Sequence, residues 1–385
     1  MRLLRATVHA LQIPFVESFR HSAHARHASD SVVVRVVDED GVAGFGEGAA
    51  RPYVTGETPD GMVEHLARDL WPAVVGVELP DPVEDGLGAV DALIPALDLP
   101  GVVAPNAARC ALELAILDCT LRASGASVAA LLPPGRDMIV YSGVVSAGTP
   151  SAAATTARQM KLVGLGAIKL KVGTGDDVAL VGAVRQAVGP EISLRLDANG
   201  AWDLEEATKI LAALAPFGIA SVEQPLPRAA WRDLAALRAV SPIPLMADES
   251  LVTRHDAEVL LAGEAVDLFN LRVSKCGGLH RTAEIARLAA DAGVGVQVGS
   301  QVGETAILSA AGRHLAAWLP EVAAVEGSFG TLLLTEDVSV ASVRFGHGGR
   351  APLLGGPGLG VEVVDERLVR HSRRVVELCG PGLGP

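Results

Sequence analysis

The stretch AIKLKVGTGDDVALVGAVRQAVGPEISLRLDANG (167–200) has the pattern of a short apolar strand, a helix and a second strand that ends in polar residues. Similar strand-like segments recur at steps of roughly 23 to 30 residues, which suits one strand-plus-helix unit. Seven or eight such units predict an α/β fold of the (β/α)7–8 barrel, TIM-like type. The segments are IVYSGVVS (139–146), AIKLKVG (167–173), SLRLDANG (193–200), ASVEQPL (220–226), PLMADES (244–250), LFNLRVSKCGG (268–278), VGVQVGSQ (294–301) and, more weakly, AVEGSFG (324–330).

An open, doubly wound parallel sheet is the alternative fold that the same alternation allows. Such a sheet usually binds a nucleotide on a glycine-rich first turn. No GxGxxG sequence follows the first strand-like segment of this chain. The closed barrel is therefore the favoured prediction.

The regions around the barrel predict a second, smaller unit. Residues 1–135 are expected to form an α+β capping domain, because RHASDSVVVRVVDEDGVAGFGEG (26–48) has the pattern of a hairpin and NAARCALELAILDCTLRA (106–123) that of a long helix. The barrel is assigned to residues 136–345. Residues 346–385 are rich in Gly and Pro, and we expect them to pack back on the capping domain.

The composition excludes several classes of protein. A chain of 385 residues, of which 49% are hydrophobic and 20% charged, suits one large and one smaller globular domain rather than a disordered protein. Its net charge of −13, without a basic stripe, argues against nucleic acid as a partner. No uninterrupted apolar stretch of roughly 18 residues predicts a membrane span, and the N-terminus lacks the pattern of a signal peptide. Four scattered cysteines fit reduced thiols in a cytoplasmic protein.

Lysine is rare in this chain and concentrated at predicted strand ends. Of the 32 basic residues only five are lysines, and arginine supplies the other 27. Since lysine can lose its proton near neutral pH in a suitable environment and arginine cannot, each lysine is a candidate for chemistry. Lys169 and Lys171 end the second strand-like segment and point the same way, and Lys275 ends the sixth.

Three successive strand-like segments each end in a carboxylate. Asp197, Glu223 and Asp248 are expected at one height of the barrel, at the C-terminal ends of the strands where the active site of such a fold lies. Three converging carboxylates repel one another unless a cation lies among them. Oxygen ligands without His or Cys favour Mg²⁺, with Mn²⁺ as the substitute ion. The alternative for each acid is a helix N-cap.

The second and sixth strands lie on opposite sides of a barrel mouth, so Lys171 and Lys275 are predicted to face each other across the metal site. A metal ion and the neighbouring Lys169 should lower the pKa of Lys171, which is the condition for a general base. A lysine beside Mg²⁺ is the arrangement described for enolase-superfamily sites. The pattern predicts proton transfer at the carbon next to the carboxylate of a small substrate.

The motifs KLKVG, LRLDANGAW, VEQPL, MADES and SKCGGL, in this order, resemble the muconate lactonizing enzyme subgroup of the enolase superfamily. GFGEG and ARCALELAILDCTLRASG resemble its capping domain and linking helix. The resemblance implies Mg²⁺ ligation by Asp197, Glu223 and Asp248, acid and base roles for Lys171 and Lys275, and a homo-oligomer. It also implies that Lys169 orients the substrate carboxylate, with supporting roles for Asn199 and Glu249.

The resemblance leaves several reactions open. GSFGTLLLTED (327–337) is similar to the FGPLLLTED stretch of muconate cycloisomerases and lacks the Asp-x-Asp of dipeptide epimerases, so a muconate-type cycloisomerase is favoured. The alternatives are a racemase or epimerase of an amino acid derivative or dipeptide, a dehydratase of a hydroxylated acid and, more remotely, a non-catalytic binding barrel. Residues 18–30 are predicted to form a loop over the substrate. The candidate substrate contacts are His21, His24, Arg26, Tyr53, Gln297, Glu304 and Phe329.

Overall fold

The structure is a computed structural model that describes residues 1–20, 25–146 and 148–380. The N-terminal part contains an antiparallel sheet, a two-stranded hairpin and a set of helices. Its strands are β1 (Leu3–Leu11), β2 (Pro14–Arg20), β3 (Ala25–Ala28), β4 (Val32–Asp38) and β5 (Ala43–Gly48), and its helices are α1 (Pro59–His65), α2 (Trp71–Val74), α3 (Pro82–Asp85), α4 (Leu87–Leu93) and α5 (Asn106–Ser124), with a π-helical turn at Leu66–Leu70.

The second part alternates strands and helices. Its strands are β6 (Met138–Val140), β7 (Gly143–Val145), β8 (Ala167–Lys171), β9 (Ser193–Asp197), β10 (Ile219–Glu223), β11 (Leu245–Ala247), β12 (Leu268–Leu271), β13 (Gly295–Val298), β14 (Arg350–Pro352) and β15 (Ser372–Cys379). Its helices are α6 (Pro150–Leu162), α7 (Asp177–Val188), α8 (Leu204–Leu214), α9 (Trp231–Val240), α10 (Arg254–Ala262), α11 (Val273–Cys276), α12 (Leu279–Asp291), α13 (Ala306–Trp318) and α14 (Asp365–His371). Short 3₁₀ turns lie at Val128–Ala130, Ala215–Phe217, Gly330–Leu332 and His347–Gly349.

Strands β7 to β13 form one parallel sheet in chain order, with a helix after each strand. This curled sheet is the predicted barrel, and the fold class is confirmed. The eighth segment pairs with β13 through a parallel bridge between Val298 and Val325, and the Ser142 amide beside β7 donates to Val325 O at 2.9 Å. The first predicted strand is divided, because β6 leaves the barrel sheet and pairs antiparallel with β14.

The capping sheet has the order β15–β1–β4–β5 and is antiparallel. Strand β15 comes from the C-terminal segment and pairs with β1, from Arg5 opposite Cys379 to Leu11 opposite Ser372. The N-terminal and C-terminal parts of the chain thus share one sheet. The exact division of the chain at residues 135 and 345 stays a prediction.

The GFGEG motif explains how helix α5 packs on this sheet. A Cβ atom at Gly44, Gly46 or Gly48 would overlap the helix, at Gly46 with the carbonyl oxygen of Ala111 and at Gly48 with that of Ala107. The alternating glycines therefore let the helix backbone lie directly on β5. Helix α5 is buried along most of its length, from Asn106 to Leu121, as expected for an element between two layers.

Buried glutamates join the capping domain to the barrel at helix N-termini. Glu47 of β5 accepts hydrogen bonds from the Thr305 and Leu308 amides at the start of α13, at 2.9 and 3.0 Å. Glu113 of α5 accepts them from the Leu279 and His280 amides at the start of α12, at 2.7 and 2.9 Å. Each carboxylate satisfies amides that have no partner within the helix and interacts favourably with its dipole.

No helix in the described part of the chain is long and apolar enough to cross a membrane.

Candidate active site

The three predicted metal ligands are neighbours at the C-terminal edge of the barrel sheet. Asp197 and Glu223 are the last residues of β9 and β10 and lie opposite each other in the strand register, and Asp248 follows β11 directly. All three are buried. The helices that follow these strands are preceded by Asp203, Ala230 and Thr253. The alternative reading of the three acids as helix N-caps is therefore wrong.

Lys169 and Lys171 extend from β8 toward these acids. Lys171 Nζ donates to Asp197 Oδ2 at 2.6 Å and to Asn199 Oδ1 at 2.8 Å. Lys169 Nζ lies 2.6 Å from Glu326 Oε2 and 3.2 Å from Glu223 Oε2. Burial alone would lower the pKa of Lys169, but the surrounding carboxylates raise it above its ordinary value. Lys169 is thus held as a cation inside the barrel.

The cation that faces this group from the other side is Arg272. It follows β12, and its Nη2 donates to Asp248 Oδ2 and, at 3.2 Å, to Glu223 Oε1. Burial would raise the pKa of Glu223, but Lys169 and Arg272 hold it below its ordinary value. Burial opposes the charge on Arg272 as well, yet Asp248 and Glu223 raise its pKa further.

Lys275 lies elsewhere than predicted. Strand β12 ends at Leu271, so Lys275 falls in the single helical turn of α11 rather than at the strand end. Its ammonium donates to Asp248 O, Asp248 Oδ1 and Asn270 O, at 2.7, 2.8 and 2.8 Å. It is buried beneath the acids and does not contribute to the cavity wall.

Asn199 and Glu249 connect the acids to Lys171. Asn199 accepts from Lys171 and donates through Nδ2 to Glu249 Oε1 at 3.0 Å. Asn199 has a φ of 47°, a left-handed conformation that asparagine tolerates better than most residues. Burial, followed by the charges of Asp248 and Asp197, raises the pKa of Glu249 to about 7. The two residues therefore lie where the sequence predicted supporting roles.

A metal ion fits these residues by their chemistry. Among residues 1–20, 25–146 and 148–380, no three His, Cys, Asp or Glu side chains are arranged to hold an ion as they stand, since the acids are turned toward lysine and arginine partners. The donors are nevertheless carboxylate oxygens from three adjacent strand ends, which is a set that Mg²⁺ prefers. Glu249 Oε2 beside them is buried without a hydrogen-bond partner among the described residues. The donor set is therefore compatible with Mg²⁺.

A cavity of about 540 Å³ opens above these residues, within the size range of small-molecule sites. Polar groups from the barrel and from the capping domain face it, together with an apolar wall. The polar lining includes Arg26, Arg51, Tyr53, Lys169, Lys171, Asn199, Glu249, Arg272, Ser300, Gln301 and Glu326, and the apolar lining Val16, Val144, Met160, Val302, Phe329, Leu332 and Leu333.

The predicted substrate contacts divide into three groups. Arg26, Tyr53 and Phe329 line the cavity. Two others do not, and His21 and His24 lie outside the described residues.

The two that miss the cavity are Gln297 and Glu304. Gln297 points into the barrel below the cavity, where its amide bonds Arg195 and Glu223. Glu304 is half-buried, its carboxylate accepts from the Gln301 amide, and desolvation raises its pKa to about 8. Glu304 therefore supports the backbone after β13 and does not face the cavity as predicted.

Three charged residues of the cavity lining were absent from the prediction. Arg272 could have been found, because alternation along β12 directs residue 272 to the same side as residue 270. Arg51 follows the GFGEG motif and donates to Asp30 Oδ1 at 3.1 Å, a contact between distant segments that no local pattern reveals. Glu326 bonds Arg195 at 2.8 Å inside the barrel and lies in the weakest predicted strand.

Comparison with known proteins identifies the family of this chain over most of its length. Residues 152–367 match the family model for the enolase C-terminal domain-like fold, and residues 5–133 match that of the mandelate racemase / muconate lactonizing enzyme N-terminal domain. Muconate cycloisomerase 1 of Rhodococcus opacus is 31% identical over 363 residues, covering 92% of this chain and 94% of the relative.

Solved structures of relatives have the same fold. The N-succinyl Arg/Lys racemase of Bacillus cereus aligns with a TM-score of 0.89 at 28% identity, over 98% of this chain and 100% of the racemase. The dipeptide epimerase of Enterococcus faecalis, complexed with Mg and the dipeptide L-Leu-L-Tyr, aligns with a TM-score of 0.83 at 30% identity, over 94% of this chain and 100% of the epimerase. The chain is thus an isomerase that belongs to the mandelate racemase / muconate lactonizing enzyme family of the enolase superfamily.

Proposed function

We propose that this chain moves a proton at the carbon next to a carboxylate, with Lys171 as the proton-carrying group, and that its reaction is a cycloisomerisation of muconate type. The observation that carries the proposal is the position of Lys171. Its ammonium lines the cavity and bonds Asp197 and Asn199, beside two further acids on adjacent strands. A general acid or base must lie within hydrogen-bond reach of the substrate, and the cavity offers that access.

Asp197, Glu223 and Asp248 would hold Mg²⁺, or Mn²⁺ in its place, and the bound ion supplies a Lewis acid that makes the α-proton of a carboxylate easier to remove. Lys169 is held as a cation at the inner end of the cavity, where it binds and orients the substrate carboxylate. Asn199 fixes the position of the Lys171 ammonium.

In the proposed reaction one carboxylate oxygen of an unsaturated dicarboxylate forms a bond to the β-carbon at the other end of the molecule. The π-electron pair of that double bond passes toward the α-carbon, which takes a proton from Lys171 Nζ. Lys171 then regains a proton from solvent. The product is a lactone with one ring C–O bond in place of one double bond.

The cavity lining suits a substrate with an anionic group at each end of a flat carbon chain. Lys169 and Lys171 lie at the barrel end, and Arg26 and Arg51 lie on the capping-domain side, where each bonds Asp30 at 2.7 and 3.1 Å. Phe329 and its neighbours supply the apolar wall. Arginine is well suited to binding a second carboxylate.

Incubation with cis,cis-muconate and Mg²⁺ tests this proposal through the loss of the diene absorbance. The Lys171→Ala variant should show no loss, and Lys209→Ala, which changes an exposed lysine on α8, should behave like the unmodified enzyme. If the unmodified enzyme at high concentration leaves the diene unchanged, muconate is not its substrate.

Epimerisation of an amino acid derivative is the second candidate, because the chain is similar to the Enterococcus faecalis epimerase and the Bacillus cereus racemase. Its signature is incorporation of deuterium from D₂O at an α-carbon together with conversion of one stereoisomer into the other. Failure of both assays, with metal present, would contradict proton transfer next to a carboxylate.

A further inference from the structure

We infer that Arg272, and not Lys275, is the residue that faces Lys171 across the substrate, so that this chain transfers protons on one face of the α-carbon only. The inference rests on the proposed role of Lys171 and decides between the reactions open to the family. It assigns Arg272 as a fixed cation that holds a negatively charged part of the substrate.

Lys275 is prevented from reaching the substrate by its contacts. An ammonium has three donors, and those of Lys275 are matched by Asp248 O, Asp248 Oδ1 and Asn270 O. Its backbone carbonyl also accepts from Asn106 Nδ2 of helix α5 at 2.7 Å. The side chain is 0% exposed and separate from the cavity wall. To touch a substrate, Lys275 would have to give up three hydrogen bonds at once.

Arg272 occupies the position that the sequence had assigned to Lys275. It follows β12, which is four strands from β8 in the parallel sheet, and both Arg272 and Lys171 line the cavity. The acids Asp197, Glu223 and Asp248 come from the strands between them. In a barrel, strands four apart lie on opposite sides of the mouth. Lys171 and Arg272 thus approach a bound substrate from opposite directions.

The chemistry of the two side chains differs in kind. Inversion of an α-carbon requires a group that removes a proton from one face and a group that delivers one to the other. The guanidinium of arginine keeps its protons in proteins and cannot remove one from carbon. Glu249 does not replace it, because its Oε1 accepts from Asn199, the residue that also accepts from Lys171. The described cavity wall therefore provides one proton-transfer side.

A one-sided site suits reactions that make or break a single C–H bond on one face. Addition of a carboxylate across a double bond and elimination of water are of this kind, whereas racemisation and epimerisation are not. A permanent cation opposite Lys171 also binds the negative charge of the substrate without competing for the proton. The inference therefore favours cycloisomerisation over epimerisation.

Two measurements test the inference, the first by exchange. The two enantiomers of N-succinylarginine are incubated separately in D₂O with Mg²⁺, and the α-proton is followed by NMR. One enantiomer should exchange at least about 100-fold faster than the other, the range that general acid–base catalysis contributes, without conversion into its mirror image. Lys171→Ala should abolish this exchange, and Arg272→Lys should add exchange of the second enantiomer.

Interconversion of the enantiomers by the unmodified enzyme would overturn the inference. So would an Arg272→Lys variant that exchanges the first enantiomer but never the second. If no variant exchanges either enantiomer, the probe or the proposed function fails, and the second measurement decides the question of Lys275 independently.

The second measurement needs no substrate. The five lysines are acetylated in the folded enzyme with N-hydroxysuccinimidyl acetate and quantified in peptides by mass spectrometry. Lys209, whose side chain is 72% exposed, is the internal standard and should react fully. Lys275 should stay unmodified throughout. Modification of Lys275 at the rate of Lys171 or faster would show that it reaches the cavity and would overturn the inference.

Discussion

Buried carboxylates lie in two regions of this enzyme and are stabilised there in different ways. At the junction of capping domain and barrel, the donors to Glu47 and Glu113 are backbone amides at helix N-termini, together with the Thr305 hydroxyl for Glu47. At the barrel mouth, Glu223 and Asp248 contact lysine and arginine directly. Burial raises the pKa of Glu113 to about 7, whereas cations hold that of Glu223 below its ordinary value.

The difference shows how one fold can use the same residue type for two purposes. Backbone amides neutralise a carboxylate only partly, so the junction glutamates act as connectors between elements. At the mouth, the cations Lys169 and Arg272 lower the pKa of Glu223, which favours the ionised form that a metal ligand needs. The following predictions test whether this division holds, beginning with the largest expected effect.

Removal of divalent metal should abolish activity and leave the fold in place. Asp197 and Asp248 at the barrel mouth already have lysine and arginine partners, so the folded state does not depend on a metal ion to offset the repulsion between these carboxylates. After dialysis against EDTA we expect activity to fall at least about 1000-fold and the melting temperature to fall by only about a few degrees. Added Mg²⁺ should restore the rate, and unfolding of the enzyme on chelation would contradict the comparison.

Lys171→Ala should lower kcat by about 10²- to 10⁴-fold, the contribution of a positioned general acid or base. The substitution removes the donor to Asp197 and Asn199 at a partly exposed site, so the free energy of unfolding should change little. Steady-state kinetics and urea unfolding measure the two effects. A variant with near-normal kcat would show that another residue carries the proton.

Glu47→Ala should destabilise the fold through the junction, by about 3 kcal/mol. The substitution leaves the amides of Thr305 and Leu308 buried without their acceptor. Glu205→Ala is the matched control, since Glu205 is an exposed glutamate that pairs with Lys209 and should change stability by less than about 1 kcal/mol. Equal effects of the two substitutions in urea unfolding would remove the distinction between connector and surface acids.

Glu113→Gln should flatten the pH dependence of stability. Burial raises the pKa of Glu113 from 4.5 to about 7, so the folded state favours the protonated form. Its contribution is fully present below about pH 4.5 and is lost as the pH rises toward about 7, by at most about 3 kcal/mol. Glutamine cannot ionise, so the variant should gain relative to the unmodified enzyme over this window. If the free energies of unfolding of the variant and the unmodified enzyme change in parallel between pH 4.5 and 7, the raised pKa of Glu113 is contradicted.

Much of this architecture is predictable because barrel strands have a strong local signature. The apolar segments and the acids at their ends are readable one at a time, and parallel strands then bring Asp197, Glu223 and Asp248 to one edge. Gln297 shows a limit of this procedure. It belongs to a real strand, but it points into the barrel one layer below the mouth, and depth along a strand is not visible in a short apolar run.

The position of Lys275 was predicted wrongly for a different reason. The rarity of lysine singled it out, although composition says nothing about direction. Strand β12 stops at Leu271, and the chain then turns into a helix that carries Lys275 under the acids and leaves Arg272 at the mouth. The contacts of Glu47, Glu113 and Arg51 join segments far apart in the chain, and a single sequence considered by itself contains no signal for such pairs.

The face of β5 that carries only glycines has a consequence for attempts to transfer substrate specificity between members of the family. Since Gly44, Gly46 and Gly48 set helix α5 at backbone contact, this strand is a spacer of fixed thickness, and its other face holds α13 through Glu47. Arg51 follows β5 closely in the chain and lines the cavity, so the packing of α5 and α13 on β5 sets its position there. A graft of cavity loops from another member should keep its alignment with Lys171 only when β5 and α5 are transplanted with it.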